Sequence, residues 1–156
     1  MFITAILIAL VSCKTDKSQQ GASVELGKVE HYFTIVDSDK PEFLLLESQE
    51  DFDKNFHPAK TMTNSPTAID FSKSFVAAIV LPASEYETNI VLDTAYVAGK
   101  TLHIRYDVNK GEEQRSFSSK AQVAFTINSS LAVDSVSFEG KEASVVLPSI
   151  RTNLCY

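Results

Sequence analysis

The chain has three histidines, His31, His57 and His103, and two cysteines, Cys13 and Cys155. A protein zinc site draws on Cys and His at short, recurring spacings. No such spacing occurs among these five residues, so no metal is expected. His103 lies on the polar side of an alternating segment beside Arg105 and reads as a solvated or pairing side chain. His57 precedes Pro58 at the expected end of a helix, where the macrodipole mildly favours a cation. His31 begins an apolar strand and is expected to be exposed. Serines are abundant, yet none stands in a G-x-S-x-G elbow or an S-x-x-K element. The acidic pairs Glu112-Glu113 and Asp51 with Asp53 read as solvated charges, the first following the turn sequence Asn109-Lys110-Gly111. Five glycines in the whole chain leave no phosphate-binding loop, and the lack of tryptophan weakens a sugar-stacking platform. No catalytic residue and no cofactor are expected.

Cys13 has the most defined chemical context. From Met1 to Ser12 no side chain is charged, and the first charged one is Lys14. This apolar run falls well short of the roughly 20 helical residues that cross a hydrocarbon core, and matches the apolar region of a secretory signal. Leu10-Val11-Ser12-Cys13 resembles the bacterial lipobox, although the usual basic residue near the start is missing. The resemblance implies that the Cys13 thiol accepts a diacylglyceryl group and that cleavage falls between Ser12 and Cys13. Residues 1–12 then form a lipoprotein signal peptide and residues 13–23 a lipidated cysteine with a flexible tether. Residues 24–156 form one globular, mostly-β domain. Each buried methylene contributes about 0.8 kcal/mol, so two or three acyl chains hold the protein at a bilayer far more firmly than one myristoyl group. The polar tether reaches roughly 20 Å from the lipid. Cys155 is left without a partner in the chain, so the domain is not a disulfide scaffold.

The formal net charge is −6. An acidic domain with no basic run is a poor match for a phosphate backbone, and no nucleic-acid partner is expected.

The elements that must position any site read mostly as strands. In Thr101 to Asn109, Leu102, Ile104, Tyr106 and Val108 point one way and the polar residues the other, the period of a half-buried strand. Tyr86 to Ala98 reads as its partner, with Ile90, Leu92 and Tyr96 on one face. Gly99-Lys100 supplies a two-residue turn with glycine first. Val123 to Ile127, Val133 to Phe138 and Ser144 to Leu147 repeat the pattern, as do Glu30 to Val36 and Glu42 to Glu47. Phe75 to Leu81 is an apolar run stopped by Pro82, as expected for a strand covered on both faces. Ser48 as a cap, Asp51 three residues on, and Phe52 and Phe56 at helical spacing predict one short helix over residues 48–57. Lys60 to Ala68 forms a loop. The expected fold is α+β and mostly β, an antiparallel sheet system of about eight strands with that helix.

The order of these elements, with Ile69-Asp70-Phe71-Ser72-Lys73 before the apolar strand, resembles the C-terminal domain of the PrcB-type accessory lipoproteins of bacterial protease complexes. The likeness runs from about Phe43 to Leu147. Pro82-Ala83-Ser84-Glu85-Tyr86 replaces the glycine-rich stretch common there, and Lys120-Ala121-Gln122-Val123 lacks a common proline. The resemblance implies a non-enzymatic envelope lipoprotein, held to the membrane through lipid on Cys13, that binds an envelope protein partner such as a secreted protease. It supplies no catalytic residues. Recognition is expected at the hairpin and its polar face, Gly99, Lys100, His103 and Arg105, or at the Lys60 to Ala68 loop. The competing expectations are a small envelope hydrolase built on a spatially assembled His and carboxylate pair, and a glycan- or lipid-binding module. The first needs a histidine and a carboxylate within hydrogen-bond reach in a hollow. A protein-binding module needs an exposed apolar patch or an unpaired strand edge.

Overall fold

The computed structural model describes residues 21–141 and 144–148. Ser12, Cys13 and Cys155, and with them the expected signal and lipid site, lie outside the described residues. The described chain forms β1 (Ala22–Ser23), β2 (Gly27–Lys28), β3 (Tyr32–Thr34), β4 (Glu42–Leu46), α1 (Gln49–Asp53), β5 (Phe56–Pro58), β6 (Ser74–Ala98), β7 (Thr101–Asn128), β8 (Ser135–Glu139) and β9 (Ser144–Pro148).

Two strands of 25 and 28 residues, β6 and β7, make a single long hairpin that supplies most of the backbone pairing. Pro82 does not end β6 as the sequence suggested. The strand runs on through a zone where its register with β7 shifts three times, between Val80 and Ala83, Ser84 and Tyr86, and Tyr86 and Thr88. A proline costs a sheet one donor, which a bulge already leaves unpaired. Asn109-Lys110-Gly111 likewise lies within β7 and not in a turn. Successive bulges bend a strand pair, and here the hairpin folds back on itself. Phe75, Ala77, Ile79 and Ile127 from its open end share one core with Leu102, Ile104 and Tyr106 from its closed end.

This fold-back explains a departure from the expected antiparallel system. The large sheet runs β1-β6-β7-β8-β9, with β4 added on β6 and β2 on β7, and β8 lies parallel to the start of β7, Thr101 opposite Ser135 and Arg105 opposite Glu139. Parallel neighbours ordinarily need a long crossover. Here the second half of β7 makes the return journey, so a short link, residues 129–134, suffices. Among the described residues the architecture is therefore a mixed seven-stranded sheet plus a two-stranded sheet of β3 and β5.

The apolar run of β6 is covered on both faces, as its continuous hydrophobicity requires. Phe75, Ala77 and Ile79 enter the core just described, which Val133, Val136 and Phe138 complete. Val76, Ala78 and Val80 face a second core with Leu46, Phe52, Phe56 and Ala124. Ser48 caps α1: its hydroxyl accepts from the Asp51 amide at 3.1 Å and donates to the Asp51 carboxylate at 2.8 Å. The helix is shorter than the 48–57 expected. Phe56, His57 and Pro58 pair with Thr34, Phe33 and Tyr32, and the Phe56 ring still stacks on Phe52 at 5.1 Å. Helical spacing placed both rings inward correctly, while pairing with β3 satisfies the backbone that a further helical turn would have used. His57 consequently lies in a strand beside Phe33, not at a helix end. His31 is half-buried with a left-handed φ of 63°, and is not the exposed strand residue expected.

Candidate functional site

The outer face of the hairpin's closed end carries the polar residues picked out in the sequence. Gly99 takes a φ of 62° at the turn, which a residue without Cβ adopts freely. The Lys100 ammonium pairs with Asp134 at 3.2 Å, and its carbonyl accepts from the Asp134 amide at 2.7 Å, tying the turn to the start of β8. Thr101 and Ser135 hydroxyls meet at 2.9 Å just beyond.

His103 and Arg105, two positions apart on β7, converge on Glu139 at the end of β8. The register of the parallel pair sets Arg105 directly beside Glu139. Glu139 Oε1 lies 2.5 Å from His103 Nδ1, and Oε2 accepts from Arg105 Nε at 3.0 Å. The Tyr96 ring stacks flat on His103, centroids 4.8 Å apart, and its hydroxyl accepts from Arg105 Nη2 at 3.1 Å. Tyr96 was expected on the same face as Ile90 and Leu92. A bulge between Leu92 and Thr94 inverts the alternation, so Ala95 and Val97 turn to the core and Tyr96 turns outward.

Burial pushes the Glu139 carboxyl up, and the hydrogen bonds from His103 and then Arg105 outweigh it, holding the group below the usual glutamate range. The same carboxylate raises the Arg105 guanidinium. Each oxygen of Glu139 thus has a cationic or ring-nitrogen partner, and each partner touches Tyr96. The arrangement is a closed polar network that orients its own members. It contains a histidine and a carboxylate within hydrogen-bond reach, as hydrolysis would need, but the nearby hydroxyl of Ser137 points to Glu139 at 3.5 Å and its residue is buried.

Among the described residues, two hollows adjoin this face, and His103 lines neither. A shallow one of about 270 Å³ is lined by Asp93, Arg105, Asp107 and Glu139. A more apolar cleft of about 290 Å³ opens beside the bent zone of the hairpin, walled by Phe43, Leu81, Tyr106 and Val108, with Lys110 and Lys141 at its rim. Tyr106, Gly140 and Lys141 belong to both. A Cβ on Gly140 would stand 2.6 Å from the Tyr106 ring, so glycine sets where this shared wall stands. Glu139 and the cleft escaped the sequence reading. The cleft exists because the hairpin bends, whereas Pro82 and Gly111 read as the ends of separate strands. The inward alternation of Tyr106 and Val108 was the one signal present.

The Lys60 to Ala68 loop carries no regular element, and its Thr67 hydroxyl accepts from the Glu30 amide at 2.9 Å. Among the described residues, no three His, Cys, Asp or Glu side chains come together as a metal site, and no helix is long and apolar enough to cross a membrane. Comparison of the chain with protein-family models, with curated proteins and with solved structures finds no match in any of the three.

Proposed function

We propose that this protein is a lipid-anchored, non-catalytic envelope component whose domain binds another protein by extending its sheet along β9. The observation that carries the reading is the state of that strand. β9 ends the large sheet, and among the described residues no strand pairs along its outer side. Edges are ordinarily guarded by charge, proline or a covering segment. Ser144-Val145-Val146-Leu147-Pro148 has no charged residue, its proline comes last, and Val146 is 60% exposed. An extended peptide added there gains main-chain hydrogen bonds, with alternate side chains selecting the sequence.

Lipid on Cys13 and a tether that ends where Ala22–Ser23 pair with β6, a reach of roughly 15 Å, would confine such a partner to the same envelope surface. The resemblance of the sequence to protease-complex accessory lipoproteins makes a secreted protease the first partner to seek. The test is affinity capture of the lipidated protein from its own envelope, beside a Val146→Lys variant that puts a charge on the edge. One stoichiometric protein is expected with the parent and not with the variant; equal recovery from both would remove the edge from the account. Cys13→Ala is expected to release the protein from the membrane fraction and to abolish palmitate labelling.

A further inference from the structure

The apolar cleft beside the hairpin bend has an uneven charge distribution. Among the described residues that line it, Lys110 and Lys141 are the charged ones, and both are cationic in a chain of net charge −6. Lys141 is already committed to Asp107 at 3.0 Å. Lys110 is not: its ammonium rests 4.1 Å from the centroid of the Tyr86 ring, and among the described residues no carboxylate lies within ion-pairing distance of it. A cation held over an aromatic face is positioned without being neutralised. The cleft therefore offers apolar walls and, at its rim, a located positive charge with no counterion among the described residues.

We propose that this cleft binds a single-chain amphipathic carboxylate of the fatty-acid class, its hydrocarbon against Phe43, Leu81, Tyr106 and Val108 and its head group on Lys110. The volume selects within that chemistry. About 290 Å³ lies at the lower end of small-molecule sites, roughly 300–1,000 Å³. One chain of medium length fits; a two-chain phospholipid does not. Tyr106 is buried, and Gly140 fixes the position of its ring, so the wall that meets the chain is formed before the ligand arrives. β9 contributes no lining residue, so the site stands apart from the protein-binding edge, and either can fail without the other.

The experiment is calorimetric titration of the full chain with decanoate and with decan-1-ol. The chain carries Cys13→Ser, so that no attached acyl group competes for the cleft. Decanoate is expected to bind saturably at one per chain, and decan-1-ol more weakly. Lys110→Met, which keeps an apolar stem and removes the charge, should weaken decanoate roughly fivefold, the upper end for a solvent-exposed ion pair, and leave decan-1-ol unchanged. Val108 is 45% exposed, so Val108→Trp can fill the mouth while the fold persists; with an unchanged circular dichroism spectrum it should abolish saturable binding of both. No saturable decanoate binding by the parent, undiminished decanoate binding by Lys110→Met, or binding that survives in Val108→Trp would each overturn the proposal.

Discussion

Glu139 shows how a single carboxylate can organise a sheet face. Its two oxygens hold His103 and Arg105, residues of the neighbouring strand, and through them the Tyr96 ring on the strand after that. The consequence for stability has a definite sign. A carboxyl whose folded value is depressed contributes fully above its unfolded value, and that contribution is lost as pH falls through the folded value. Burial opposes the depression of Glu139, and His103 and Arg105 produce it. Glu139→Gln should therefore cost roughly 1 kcal/mol near neutral pH, the scale of one net hydrogen bond to a partly exposed group. The gap between parent and variant should close as the pH drops below the ordinary carboxylate range. Urea titrations at neutral and acidic pH measure both. The three partners sit in the sequence as separated polar residues, and Glu139 looks like the first member of a turn. What brings them together is the parallel register of β7 and β8, which no local pattern encodes.

Short elements depend on single contacts more than long ones do. α1 has five residues, too few to stand by helix propensity, and it persists because Ser48 caps it and Phe52 is fully buried beneath it. Ser48→Ala should lower stability by about 1 kcal/mol, seen as a lower urea midpoint with an unchanged slope. The cap, the Phe52 and Phe56 spacing, the Gly99-Lys100 turn, the doubly covered run from Phe75 and the alternation of Leu102, Ile104 and Tyr106 were all legible in the sequence. Each is a local preference that the tertiary structure agrees with. The helix end was misjudged because Phe56 satisfies its spacing equally well from a strand. The outward face of Tyr96 was misjudged because one extra residue in a bulge reverses every side chain after it, and nothing in Asp93-Thr94 announces that insertion.

At the scale of the whole molecule, the two cores are not separate units. Consecutive residues of one strand, Phe75 to Val80, feed them alternately, so neither can be lost while the other stays packed. The bend in the hairpin is also its most open part: from Lys110 to Ser119 every residue except Arg115 is exposed. β7 on one side of that stretch pairs with β8, and on the other side with β4's neighbour, the start of β6. A protease acting at Glu112 or Glu113 would leave two fragments, each holding strands that the other needs. They should co-elute as one particle under native conditions and separate only in denaturant, as size-exclusion chromatography with and without urea would reveal. The protein is in effect interlaced, and a scissile bond at its bend converts it into a natural two-piece reporter, reassembling without a covalent link between the halves.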